Sequence, residues 1–239
     1  MSDLVDLVIE AHGGMDRWNQ LHEVRSHLIV GGITWAVKQQ AGLLDDTNVR
    51  IELHEQFASH YPFGMPGLHS SVTADRVAIE RDSGEVVAER RDPRAAFAGH
   101  VLETPWDELH LAYFAGYAMW TYLTAPFSFA SPGFRTEELE PWEEEGRSWR
   151  RLKVTFPAHI ATHSAEQVFY VGPDRLIRRH DYNAEVVGGG PAAHYSADHR
   201  EFDGIVVATT RRVHPLAADG SVAPEPLLVS IDLGDVRFQ

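Results

Sequence analysis

The apolar positions of this chain change period three times, and the changes divide it into four stretches. In residues 1–21, Leu4, Val5, Leu7, Val8 and Ala11 recur at helical spacing, which predicts a helix capped by Ser2 and ended by Gly13-Gly14. Residues 15–21 read as a short second turn whose Trp18 anchors it on the rest of the fold. Over residues 23–91 the period drops toward two: the runs 24–38, 49–57 and 76–90 are rich in Val, Ile and Thr. Asp82-Ser83-Gly84 marks a hairpin, and Gly31-Gly32 a bulge or bend inside the first run. The Pro- and Gly-rich residues 61–67 must form a loop.

Residues 93–126 turn helical again. Asp92-Pro93 and Thr104-Pro105 each place a capping residue before a proline that suits the first helical position, and Pro126 forbids continuation beyond about Ala125. The stretch 134–238 is a meander, with strand-like segments near 134–142, 147–156, 163–171, 175–184, 193–202, 205–214 and 227–238. Turns at Glu145-Gly146, Gly172-Pro173-Asp174, Asp203-Gly204 and Asp219-Gly220 separate most of them, and Gly188-Gly189-Gly190 reads as a hairpin tip. Links this short require antiparallel pairing. No repeat or linker interrupts residues 1–239, so the expectation is one β-rich α+β domain. It would be a curved antiparallel sheet of roughly eight to eleven strands covered by a few helices.

The middle helix is unusual in composition. Residues 109–129 contain no Asp, Glu, Lys or Arg. Trp106, His110, Tyr113, Tyr117, Trp120 and Thr124 share one face by spacing, while Leu111, Phe114, Ala118 and Tyr122 cover most of the other. A helix apolar all round is buried in protein or in lipid. The stretch before Pro126 falls short of the ~20 strongly apolar residues of a membrane crossing, and it lacks flanking Lys/Arg asymmetry. It is therefore read as a core helix or as a lid over an internal cavity. Its Trp and Tyr rings carry polar handles suited to a mainly apolar pocket, so Trp106, His110, Tyr113, Tyr117 and Trp120 are the candidate ligand-binding residues.

Charge narrows the partners. With 35 acidic against 21 basic side chains the formal charge is −14, which repels phosphate backbones and anionic membranes; nucleic acid is not an expected partner, nor is stable membrane insertion. Cysteine is absent, which removes disulfides, thiolate nucleophiles and Cys-type metal sites. The N-terminal residues lack the basic and apolar regions of a secretory signal, so the expected location is cytoplasmic.

Histidine is frequent, 14 residues, and many sit in strand segments. Alternation places Leu176, Arg178, His180 and Tyr182 on one strand face and Ile177, Arg179 and Asp181 on the other; His194 and Ser196 share a face, as do His163, Gln167 and Phe169. No HExxH, Glu-x-x-His or Gly-x-Ser-x-Gly motif occurs, and the triple glycine lacks the strand–helix setting of a phosphate loop. Neither a metal nor a cofactor is expected. If the protein is an enzyme, His163, His180, Asp181, Tyr182 and His194 are the acid–base candidates.

The helix ending in Ala11-His12-Gly13-Gly14, the strand run, the central helical insertion and the closing meander together resemble the LolA/LppX-like lipoprotein-carrier superfamily. The segment from Ala112 to Trp120 is also similar to bacterial proteins of this length that have no assigned function. The superfamily resemblance implies a half-barrel closed by helices that holds acyl chains or lipophilic molecules between sheet and lid. The chain departs from it in having no cysteine for an anchor and in the expectation that it carries no signal peptide. Three functions remain open at this point. The first is a cytoplasmic binding protein for a hydrophobic or aromatic small molecule. The second is a cofactor-independent lyase, isomerase or cyclase using the same cavity. The third is a subunit or homo-oligomer that docks through the aromatic helix.

Overall fold

The computed structural model describes residues 3–144 and 146–239, so the expected Ser2 cap and the Glu145 turn position lie outside the described residues. Thirteen strands form one sheet, two more than the upper expectation. They are β1 (Glu23–Gly31), β2 (Asp46–Glu52), β3 (Phe57–Tyr61), β4 (Leu68–Val72), β5 (Arg76–Arg81), β6 (Val86–Arg91), β7 (Arg135–Glu144), β8 (Arg147–Thr155), β9 (Glu166–Val171), β10 (Ile177–Asn183), β11 (Pro191–Phe202), β12 (Ile205–Pro215) and β13 (Val229–Phe238). Every sequential neighbour within 23–91 and within 135–238 pairs antiparallel, and β1 pairs with β13 to join the two meanders at the centre. β6 and β7 are left as opposite edges of a curved, unclosed half-barrel.

The chain thus leaves one edge at Arg91 and re-enters the other at Arg135, and the segment between them crosses the concave face. Its main element is α4 (Glu108–Thr124). Asp107 caps it, accepting from the His110 amide at 2.9 Å while the His110 ring accepts from the Asp107 amide. From His110 to Thr124 every residue is buried. The helix packs on β2 to β6, closely enough that a Cβ on Gly116 would meet Val72 at 2.8 Å. Trp120 fixes its roll by donating from Nε1 to the carbonyls of Glu52 (3.0 Å) and Glu55 (2.8 Å). With all of its faces covered by its own chain, α4 offers no surface to a partner, which removes the docking-subunit reading of this helix.

Three further helices flank the sheet: α1 (Asp3–Ala11), α2 (Met15–Trp18) and α3 (Thr34–Val37). Leu4, Val5, Val8 and Ile9 of α1 are buried, and Trp18 stacks on Phe127 with ring centres 4.2 Å apart. The strand expected over 24–38 ends early. Gly32 adopts φ 104° where a Cβ would strike the Leu228 carbonyl, and the chain then coils into α3 instead of bulging. Lys38, just after α3, is fully buried and donates from Nζ to the carbonyls of Leu102 (2.7 Å), Val187 (2.7 Å) and Val101 (3.0 Å), tying the segment before α4 to the sheet.

The helix expected from Pro93 is a short 3-10 turn, Pro93–Phe97, because Asp92 sits at φ 47° and its side chain makes no cap hydrogen bond. Likewise the long helix starts at Glu108 rather than beside Pro105, so Trp106 precedes it. Gly116→Val should destabilise the fold by ~1–3 kcal/mol through overpacking against Val72. Urea denaturation checks this, and an unchanged midpoint would show that α4 and β4 are less tightly apposed than described.

Candidate functional site

Inward-facing residues of β9 to β12 meet the far side of α4 in a polar cluster. β9 directs Gln167 and Phe169 inward, β10 His180 and Tyr182, β11 His194 and Ser196, and β12 Arg211; His163 comes from the loop before β9. Tyr122 of α4 reaches into their midst. Its hydroxyl lies 2.8 Å from His163 Nε2 and 3.2 Å from the Tyr182 hydroxyl. The other His163 nitrogen is 3.4 Å from the Tyr117 hydroxyl, and its ring stacks on Tyr182 at 3.9 Å. His180 stacks on Phe169 at 4.0 Å and hydrogen-bonds Gln167 Oε1. His194 stands edge-on to the Tyr122 ring at 4.4 Å, with neither of its nitrogens hydrogen-bonded to a described protein group.

Burial governs the charge states here. It holds His163 down at about 3 and keeps His180 and His194 well below the ordinary histidine value, with the Arg211 cation reinforcing the effect on the latter two. It also pushes the Tyr122 hydroxyl up to about 12, and Tyr117 and Tyr182 well above the usual tyrosine value. At neutral pH the cluster is therefore a set of uncharged imidazoles and phenols around one cation. Arg211 is only 7% exposed, and burial lowers even its guanidinium to about 10.

Four of the five acid–base candidates are thus brought together: His163, His180, Tyr182 and His194. Asp181 is not among them, because it points to the convex face. There it accepts from Tyr170 at 2.7 Å and from Arg179 at 2.7 and 2.9 Å, and burial raises its carboxyl against the pull of Arg179. A bulge between Ile177 and Arg179 breaks the expected alternation of β10 and turns Ile177 inward beside His180.

The five aromatic-helix residues are placed separately. Trp106 lies under Phe97 and Phe114 with the Lys38 ammonium 5.2 Å from its ring. His110 serves the helix cap, and Trp120 is held by backbone carbonyls. Tyr113 lines an open recess of about 330 Å³ with Arg94 and Thr162. Tyr117 alone touches the polar cluster. Helical spacing puts the cluster's centre, Tyr122, on the opposite face from these five. Its role depends on which strand faces it, and helical spacing alone carries no signal of that. Arg211 gave no signal either, since an arginine in an alternating strand reads as solvated.

Two small internal cavities, each about 30 Å³, lie on either side of Tyr122. One is apolar, bounded by Leu28, Val30, Trp35, Phe114, Met119 and Ile231 among others. The other is polar and runs past His12, Thr121, His180, Ser196, His199 and Arg211. A third feature, an open groove of about 940 Å³ flanked by Trp149, Arg178, Tyr195 and His214, belongs to the outside of the sheet. No helix among the described residues is long and apolar enough to cross a membrane.

No protein-family model and no curated protein matches the sequence. Solved structures do match the fold along nearly its whole length. A DUF1329 family protein from Desulfovibrio piger superposes with TM-score 0.54 at 13% identity, covering 99% of this chain and 92% of its own. A LolA superfamily protein from Nitrosomonas europaea gives TM-score 0.54 at 10% identity, with 99% and 92% covered. A domain from Vibrio parahaemolyticus, named for outer-membrane lipoprotein sorting, gives 0.52 at 12% identity, with 98% and 92% covered. The architecture is thus the LolA-like half-barrel, in agreement with the fold expected from the order of elements. At such identities the likeness concerns the fold alone.

The neutral histidines make stability depend on pH. Each contributes fully above the unfolded value near 6.5, and the contribution falls as pH drops through the window down to the folded value, about 3 for His163 and about 4 for His12 and His60. Each should add about 1.4 kcal/mol per pH unit to the slope. Replacing His163 by Gln should therefore lessen the slope of unfolding free energy between pH 6 and pH 4.5 by about that amount. Urea melts across the range test it, and an unaltered slope would mean that His163 is protonated in the folded protein.

Proposed function

We propose that the protein binds a lipophilic small molecule between α4 and the central strands β1 and β13. The observation that carries this reading is the apolar cavity there. Leu28, Val30, Phe114, Met119 and Ile231 face it, no charged side chain lines it, and its polar margin is confined to His60, Tyr122 and Tyr182. An apolar wall with a few convergent polar groups is the usual composition of small-molecule sites. The LolA-like fold supports the same reading, because it leaves a concave sheet surface covered only by helices.

At about 30 Å³ the cavity has the space of a water or two, so a ligand must part α4 from β1 and β13 to enter. Met119 and Phe114 are the side chains best able to give way, since both turn about χ1 and χ2 without moving the backbone. Titration with decanol, followed by tryptophan fluorescence, should show saturable binding. Ala118→Trp, which places an indole in the cavity wall, should weaken binding tenfold or more while the far-ultraviolet circular dichroism stays unchanged. Equal affinity in the two proteins would sink this assignment.

The convergence of His163, Tyr122 and Tyr182 favours a second reading in which the same space hosts a cofactor-independent proton transfer. A ligand copurifying with the protein would then change mass or retention time on incubation with wild type and stay unaltered with His163→Gln. Identical behaviour with both proteins would leave binding as the whole function.

A further inference from the structure

Arg211 has an unusual environment for a buried guanidinium. Among the described residues no carboxylate lies within ion-pair distance of it. Nη2 donates to the Tyr122 carbonyl at 3.0 Å, near the C-terminus of α4, and Nη1 to Ser196 Oγ at a long 3.4 Å; Nε has no protein partner. Of the five N–H donors a guanidinium carries, only these two are engaged. The Tyr122 carbonyl accounts for a cation at a helix C-terminus. It accounts neither for the free Nε nor for a second side chain, His194, that is also buried with both nitrogens unpartnered nearby.

The guanidinium borders the polar cavity, whose wall also includes Thr121, Ser196, His12, His180 and His199. That cavity is enclosed on most sides, with Ala125, His199 and Val206 as its half-buried members nearest solvent. About 30 Å³ admits two water-sized occupants, which is the scale of a carboxylate group and too little for phosphate with its four oxygens. A planar anion with two oxygens also matches the donor spacing of a guanidinium edge.

The geometry points to a binding site for a carboxylate, with Arg211 as the cationic anchor and Ser196 as a hydroxyl donor; the Thr121 hydroxyl is already committed to the Tyr117 carbonyl at 3.0 Å. The site stands whether the carboxylate is a free small acid or the head of a longer molecule. The second source rests on the lipophilic-ligand reading above, because Tyr122 walls both cavities and separates a tail space from a head space. The overall charge of −14 does not oppose the site, since solvent screens surface charge far more than it screens the buried cation.

The test uses the intact chain at pH 7.5 and fixed ionic strength, with sodium formate exchanged for sodium gluconate, a carboxylate too bulky to enter. Formate should raise the thermal midpoint of the wild type by roughly 3 °C over gluconate. The increment should vanish in Arg211→Met. It should vanish as well in Ala208→Leu, which fills the cavity and keeps the guanidinium, and so serves if the first variant fails to fold. Equal midpoints in formate and gluconate for the wild type, or an increment that survives in Ala208→Leu, would overturn the site. Decanoate and decanol separate the two sources. Decanoate binding at least tenfold tighter than decanol, with the advantage lost in Arg211→Met, identifies a head-group site. Equal affinities alongside a formate response identify a free-acid site. Failure of both ten-carbon ligands with a formate response intact would remove the lipophilic reading and leave the anion site standing.

Discussion

A helix without a solvent face dictates the shape of this protein. α4 carries no charged residue after Glu108 and is buried from His110 to Thr124, so the sheet has to supply cover on every side of it. Thirteen strands laid flat would separate the two edges by roughly 55–60 Å, whereas a 17-residue helix extends only about 25 Å. One element of that length touches both halves only if the sheet curls round it. The contacts show the result. Gly116 and Trp120 engage β2, β4 and the turn before β3, while Tyr117 and Tyr122 on the remaining arc reach His163, Tyr182 and His194.

The strand order follows from the same arrangement. Each meander is built from hairpins and grows outward from the central β1–β13 pair, so no crossover within the sheet is needed. Among the described residues the longest connection, from β6 to β7, is the one that carries α4. That places the helix, the Val101 and Leu102 carbonyls held by Lys38 and the cis Ala125–Pro126 bond on the path from edge to edge.

Much of this was written in the local pattern. The seven strands of the second meander, the hairpin at Asp82-Ser83-Gly84 and the end of α4 before Pro126 sit where periodicity and turn residues put them. Positions that failed share one physical cause, a backbone state chosen by distant packing. Gly32 leads into α3 because Leu228 leaves no room for anything else, and Asp92 adopts φ 47° where its sequence suggested a cap. The site divides the same way. Alternation put His163, His180 and His194 on common faces with their neighbours, but pairing register decided that His180 sits opposite His194 and that both look at Tyr122. Arg211 was invisible to any local rule, since its burial comes from β12 lying under the last turn of a helix almost ninety residues earlier.

That burial is the costliest feature of the interior. Removing a guanidinium from water carries a penalty of several kcal/mol unless charge or hydrogen bonds compensate it. Here the neighbours are imidazoles held neutral by the same desolvation, and phenols too weakly acidic to ionise. None of these supplies a negative charge. Had the inner wall served only to pack α4, an apolar side chain at position 211 would do so without the penalty. The polar lining is instead concentrated on β9 to β12, opposite an apolar lining on β1 and β13. Tyr122 stands on the boundary, its hydroxyl shared between His163 and Tyr182 and its ring 5.2 Å from the guanidinium. An interior sorted in this way suits an occupant with one apolar end and one anionic end, and rotation of Tyr122 out of its hydrogen bonds would be the step that joins the two spaces.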